Sequence, residues 1–269
     1  MSEALFQVRN MHLSLPDRAR KRVFGPVPKI EILKDLNFDI NRREVLGIVG
    51  GSGSGKSTTG RALVRLLKPT QGSVTFDGKD ITNMGAVPLK PLRQRFKMIF
   101  QDPLSSLNPR HSVAQLIGGP LKLEGFADVN RRVVDALGQV GLPQEFMSRY
   151  PHEMSGGQRQ RIGIARAIAS RPDFILADEI VSGLDVSNQA QILNLLEKLV
   201  SDLDLTLAFV SHDLSVIRRL CHRVMVMDQG EIVEIGAVEK VFEAPQHSYT
   251  RELLDAIPLP DPDQDWEAA

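Results

Sequence analysis

Residues 50–58 read Gly-Gly-Ser-Gly-Ser-Gly-Lys-Ser-Thr, and few stretches of nine residues restrict a chain so much. They fit the pattern G-x-x-x-x-G-K-[ST], known as Walker A. An apolar run of strand length, Val45-Leu46-Gly47-Ile48-Val49, precedes them. After them Thr59 to Leu67 sets Ala62, Leu63, Leu66 and Leu67 at helical spacing. Strand, glycine loop and helix form the context in which this pattern grips a polyphosphate. The glycines let successive backbone N–H groups turn inward on the anion, and the helix N-terminus adds partial positive charge. Gly50, Gly51, Ser52, Gly53, Ser54, Gly55, Lys56, Ser57 and Thr58 are therefore the expected phosphate cradle. In it Lys56 reaches the β and γ groups and the Ser57 hydroxyl ligates Mg²⁺.

The 269 residues suffice for one large α/β domain or two small ones. With 33 basic and 33 acidic side chains the net charge is zero, which argues against nucleic acid as the main partner. No apolar run reaches the 18 residues a membrane span needs. Met1-Ser2-Glu3-Ala4 does not read as a signal peptide, so a cytoplasmic protein is expected. The single cysteine, Cys221, rules out an internal disulfide framework and a cysteine-ligated cluster, and reads as a small buried hydrophobe.

Residues 5–15 and 30–40 carry strand patterns, and between them Arg18-Ala19-Arg20-Lys21-Arg22 reads as a solvated loop. Lys68-Pro69-Thr70-Gln71-Gly72 stops the first helix, and Asp77-Gly78 signals a hairpin. The amino-terminal part is thus expected to be strand-rich and partly antiparallel. From about 101 to 170, prolines punctuate short helical patterns such as Val129 to Val140, which reads as a helical insertion into an α/β core. Core strands return at Phe174–Ala177 and Leu205–Val210 as near-continuous apolar runs, as in a parallel sheet covered on both faces. Residues 258–269, acidic and proline-rich, read as a loose tail.

Ligands in open α/β sheets bind beyond the carboxyl ends of strands, and three strand ends carry polar groups of catalytic type. Asp178 follows an apolar strand and is expected near Mg²⁺. Glu179, next along an extended chain, is expected to point the other way, toward an attacking water. His212, between Ser211 and Asp213, is placed to donate to the γ-phosphate or orient the water. The remaining histidines (His12, His111, His152, His222, His247) read as structural. Gln101, after Met98-Ile99-Phe100, offers an amide carbonyl for Mg²⁺ and a sensor of the γ-phosphate.

Ser155-Gly156-Gly157-Gln158 has the spacing of a capping box, and Ile162, Ala165, Ile168 and Ala169 continue it as a helix. The start of that helix is a second anion site with two glycines that allow close backbone approach. One glycine loop and two phosphate-binding helix ends, separated by a helical insertion, place the second end on another molecule's nucleotide. A head-to-tail dimer is expected.

In that order the motifs resemble those of the ATP-binding-cassette (ABC) ATPases. The resemblance covers nearly the whole chain, about residues 4–257. It identifies Gln101 with the Q-loop, Met154 to Gln158 with the signature, Ser182-Gly183-Leu184-Asp185 with the D-loop, and His212 with the switch histidine. It implies an α/β fold: a P-loop NTPase core with a mostly parallel sheet, an antiparallel β subdomain near the N-terminus and an inserted helical subdomain. It implies ATP and Mg²⁺ as ligands. Glu179, His212 and Lys56 then carry catalysis, Ser57, Gln101 and Asp178 the metal, and Asp185 the D-loop. Phe100 to Arg110, His152 to Arg161 and Ala244 to Leu254 are similar to the dipeptide, oligopeptide and nickel importers. That likeness implies a peripheral ATPase on the cytoplasmic face of the bacterial inner membrane. It would pair with a second cassette, identical or paralogous, and dock on two transmembrane permease subunits fed by a solute-binding protein. An exporter cassette and a soluble ABC ATPase are the alternatives. The chain departs from the family pattern at Met154 (usually Leu), Ile180 (usually Pro), Gly183 (usually Ala) and Gly51 (commonly Glu, Asn or Pro). For the aromatic that stacks on adenine, Phe24, Val27 and Ile30 are the candidates.

Overall fold

The computed structural model describes residues 3–17, 27–102 and 106–256. The basic run at 18–22, Phe24 and the acidic tail at 258–269 lie outside the described residues.

Two sheets organise the described chain. The first is antiparallel, with order β2-β1-β4-β5, built from β1 (Ala4–Pro16), β2 (Lys29–Asn41), β4 (Gln71–Phe76) and β5 (Lys79–Asp80). Its last hairpin turns on Asp77 and Gly78, both with positive φ (50° and 72°), as a two-residue turn with the twist of its flanking strands requires. The second sheet has the order β10-β9-β3-β8-β7-β6. Its strands are β3 (Val45–Val49), β6 (Phe96–Ile99), β7 (Phe174–Asp178), β8 (Thr206–Val210), β9 (Arg223–Asp228) and β10 (Glu231–Ala237). All its neighbours are parallel except β9 and β10. Every residue of β3, β7 and β8 is buried, which explains why these strands show no polar alternation.

Two apolar clusters fill the two faces of that sheet. One joins the antiparallel sheet to Leu46, Ile48, Leu176 and Met225, and to Ala62 and Leu63 of helix α1 (Lys56–Leu63). At its centre Phe6 meets Phe174 at 4.7 Å and Phe76 at 4.8 Å, while Phe76 meets Phe96 edge-on at 5.2 Å. These rings tie the first strand of one sheet to β6 and β7 of the other, and edge-to-face contact adds to their buried area. The short helix α2 (Ala86–Leu89) closes this side through Leu89.

The other cluster carries the insertion between β6 and β7. Its helices are α3 (Val113–Leu123), α4 (Val129–Gln139) and α5 (Gly156–Ile168), packed on one another through Leu116, Ile117, Val133, Leu137 and Ile162. Helices α6 (Val186–Asp202), α7 (Leu214–Leu220), α8 (Val238–Glu243) and α9 (Ser248–Asp255) complete the same face. Cys221 is buried here, and burial pushes its thiol well above the ordinary range, so it is unreactive packing material.

Helix α1 ends earlier than its apolar spacing implies. It stops at Leu63; Arg65 turns left-handed (φ 55°) and Leu66 is 52% exposed. Arg65 is drawn away from the helix by the carbonyls of Ile81 and Met84, which accept from its guanidinium at 2.7 and 3.3 Å.

Truncating Phe6 to Ala should open a cavity at the junction of the two sheets and cost about 3–5 kcal/mol in urea unfolding. A loss below about 1 kcal/mol would mean that the aromatic cluster does not hold the sheets together.

Candidate functional site

Strands β3, β7 and β8 run parallel, so their carboxyl ends lie side by side. A cavity of about 570 Å³ opens there, lined by Ile32, Ser52, Gly53, Gly55, Lys56, Ser57, Thr58, Glu179 and His212. Residues as distant in sequence as Ile32 and His212 thus converge on one volume.

The glycine loop leaves β3 through Gly50 (φ 149°), and a Cβ there would sit 2.1 Å from the Met227 carbonyl oxygen. Only glycine allows the loop to pass that close to β9. The turn between β9 and β10 closes on it: Gly230 N–H donates to the Ser54 carbonyl at 3.1 Å, and the Gly230 carbonyl accepts from Lys34 N–H at 2.9 Å. Within the loop, the Lys56 ammonium donates to the Gly50 and Gly51 carbonyls, both at 2.8 Å. An ammonium has three protons, so one is left for the cavity. Burial pulls the Lys56 pKa down, and the nearby carboxylates of Glu179 and Asp178 oppose that pull.

Ser57 donates to Asp178 Oδ1 at 2.7 Å. Asp178 is buried at the end of β7, and its other oxygen lies 3.6 Å from the half-exposed Arg61 guanidinium. Glu179 departs from the extended path that the sequence suggests. Its φ is 51°, and its carbonyl accepts from the Ser182 hydroxyl at 2.7 Å and from Ser182 N–H at 3.2 Å, so the chain turns as soon as the strand ends. The side chain still reaches the cavity. Its Oε2 accepts from the Gln101 amide at 2.8 Å, and its Oε1 lies 3.8 Å from His212 Nδ1. Gln101 thus meets the carboxylate through its N–H₂, with its carbonyl left over. The neighbours of His212 hold its turn: Ser211 Oγ accepts from Asp213 N–H at 3.0 Å, and Asp213 caps α7 by accepting from Ser215 and Val216.

Of the other histidines, His222 Nδ1 accepts from Val45 N–H at 3.0 Å, His247 caps α9, and His12 pairs with Glu31 at 2.8 Å. Ile30 is half exposed, and neither it nor Val27 lines the cavity. Ile32, two residues along β2, does. The sequence reading missed Ile32 because a single aliphatic residue on an alternating strand gives no signal.

The start of α5 is a separate place. Ser155 Oγ accepts from Gln158 N–H at 3.3 Å while the Gln158 side-chain Oε1 accepts from Ser155 N–H at 3.0 Å, a complete capping box. Ser155, Gly156, Gly157 and Gln158 do not line the cavity. Gly157 is buried against Asn188, whose Oδ1 would lie 2.8 Å from a Cβ at that position. Asn188 in turn donates to Asp185 Oδ2 at 2.6 Å, and Asp185 caps α6 through Asn188 N–H.

The family model described as ABC transporter matches residues 33–182. The chain belongs to the ABC transporter ATPases. A second model, described as the oligopeptide/dipeptide transporter C-terminal region, matches residues 233–269. The chain is 51% identical over 237 residues to a putative peptide import ATP-binding protein of Brucella ovis, covering 87% of this chain and 75% of that protein. It is 47% identical over 264 residues to a glutathione import ATP-binding protein of Salmonella paratyphi A, covering 97% of this chain but 42% of that longer protein. Among solved structures it resembles the dimeric ATP-binding cassette MJ0796 bound to ADP and Pi, with a TM-score of 0.75 and 29% identity over 87% of this chain and 98% of that one. Also similar is cbiO1 of Clostridium perfringens, part of the complex cbiONQ, with a TM-score of 0.78 and 27% identity over 90% of this chain and 92% of that one. The ABC cassette is thus an ATPase that binds nucleotide, and its two sheets and inserted helices are those expected from the sequence.

Two alanine substitutions test how the loop is held. Gly50→Ala drives a Cβ into the Met227 carbonyl and should abolish binding of a fluorescent ATP analogue while costing at least about 2 kcal/mol of stability. Gly53 also has positive φ (79°) but open space around it, so Gly53→Ala should cost only about 1–2 kcal/mol of backbone strain. Equal losses in urea unfolding would refute this account of the loop.

Proposed function

We propose that the chain is the ATP-hydrolysing subunit of a membrane importer for peptides or a related small solute. In this reading two cassettes close over two ATP molecules and hydrolysis reopens them. One observation carries it: the glycine loop lines a cavity to which the capped helix start of the same chain contributes nothing. A second cassette, identical or paralogous, supplies the missing helix. The match to the oligopeptide/dipeptide C-terminal region and the names of the two relatives support import. Glutathione is a modified tripeptide, so both names point to peptide-like solutes. Two transmembrane permease subunits, a solute-binding protein and a place on the cytoplasmic face of the bacterial inner membrane belong to the same proposal.

Each side chain has a role in it. Glu179, at the open end of β7, polarises the attacking water and accepts its proton on the carboxylate. His212 and the third proton of Lys56 stabilise charge at the γ-phosphate. The serine capping α5 and the N–H groups of Gly156 and Gly157 would meet the partner's nucleotide. Asp185 orders the D-loop through Asn188. The Ser57 hydroxyl and the Asp178 carboxylate are neighbouring hard oxygen donors, and with the Gln101 carbonyl they fit Mg²⁺. Bound there, Mg²⁺ would neutralise charge on the β and γ oxygens.

Glu179→Gln preserves the shape of the site and removes its base. Hydrolysis should fall by at least ~10²-fold while ATP binding persists, and the trapped variant should dimerise with ATP in light scattering. Undiminished turnover would remove Glu179 from its role. A trapped variant that stayed monomeric with ATP, alone or with a paralogous cassette, would remove the dimer.

A further inference from the structure

Among the described residues, a hydrogen bond to the Tyr249 hydroxyl joins the carboxyl-terminal segment to the phosphate loop. After β10 and α8 the chain doubles back, and Glu234 of β10 accepts from the N–H groups of Gln246 and His247 at 2.9 and 3.1 Å. His247 then caps α9 by accepting from Tyr249 N–H, and Thr250 is fully buried beneath it. With the first turn of α9 so fixed, the Tyr249 ring packs on the core and its hydroxyl reaches Gly51. It accepts from Gly51 N–H at 2.7 Å.

The amide that Tyr249 holds is half of a peptide group whose other half is the Gly50 carbonyl. That carbonyl accepts from Lys56 at 2.8 Å. The group is planar, so the direction of its N–H fixes the direction of its C=O. It also lies between two glycines. With no Cβ on either side, the plane can turn about its flanking bonds with little steric resistance. Turned over, it would aim an N–H at the Lys56 ammonium and a carbonyl oxygen away from it. The tyrosine hydroxyl and the lysine ammonium select the same orientation from opposite ends, and each polarises the amide in favour of the other.

Gly51 matters in its own right. A Cβ at that position would lie 2.9 Å from the Tyr249 oxygen, closer than a side chain tolerates.

We propose that Tyr249 is a positioning residue for nucleotide binding, acting through the Gly50–Gly51 peptide on Lys56 and so connecting the carboxyl-terminal helix to the phosphate grip. The inference rests on the reading of the glycine loop as the ATP site. It assigns the carboxyl-terminal segment a part in how tightly that site holds nucleotide. Once ATP is bound its phosphates hold Lys56 in place, so the effect belongs to binding more than to turnover.

Tyr249→Phe keeps the ring and removes the hydroxyl. If the productive orientation then falls to about 10–30% of the apo population, apparent affinity weakens by the inverse, about 3- to 10-fold. Binding of a fluorescent ATP analogue and KM for ATP should both shift by that factor, with kcat within about twofold and the thermal midpoint unchanged. Gly51→Ala, which displaces the hydroxyl from the other side, should weaken binding to a similar extent. The double variant should be no worse than either single one. Unaltered affinity in Tyr249→Phe, a fall in kcat with KM unchanged, or fully multiplicative losses in the double variant would each overturn the proposal. A wild-type chain that bound no ATP analogue would overturn the nucleotide site itself, and this inference with it.

Discussion

The glycine loop at 50–58 is costly in entropy to order, and its neighbours hold it in shape. Gly50 runs so close to the Met227 carbonyl that no side chain fits, Gly230 binds the Ser54 carbonyl, and Lys56 ties the carbonyls of its own loop together. Left-handed glycines at 53 and 55 lose much conformational freedom on folding, and short contacts to β9 and the following turn offset that cost. The order of strands then places everything else. Because β3 sits between β9 and β8, the loop that leaves β3 is braced on one side by Met227 and faces His212 on the other.

Much of this is legible in the sequence. Buried parallel strands betray themselves as unbroken apolar runs, and the polar residues that end them mark the ligand edge of the sheet. The capping box at Ser155 and Gln158 was legible too, because it depends on a local spacing of three residues. What stayed hidden depends on contacts across long separations or on local backbone turns. Nothing in the string around Ile32 shows that β2 lays it on the cavity. The left-handed turn at Glu179 follows from Ser182 pairing with its carbonyl, and alternation along an extended strand misplaces such a residue. The end of α1 is hidden for a related reason. Apolar periodicity continued to Leu67, but the carbonyls of Ile81 and Met84 drew Arg65 out of the helix.

The departures from the family pattern gain physical content as well. Met154 is buried at the approach to α5, where a flexible thioether replaces leucine at similar volume. Ile180 is fully buried, and it lacks the ring with which a proline would restrict the residue before it, so Glu179 is free to turn left-handed. Gly183 is left-handed as well, at 78°, a value that favours glycine over alanine.

The two ends of the proposed sandwich are mechanically joined within each chain. Asn188 binds Asp185 through its amide and presses its carbonyl against Gly157, so the turn after β7 and the first turn of α5 share one side chain. The segment from Glu179 to Asp185 is thus in contact, through that side chain, with the helix start that would face the partner's nucleotide. The same segment begins at the carboxylate assigned to polarise water. In the proposed sandwich, the seven residues from Glu179 to Asp185 and one asparagine would join the carboxylate of one cavity to the helix start that meets the other nucleotide, a contiguous route by which each site would bias the other.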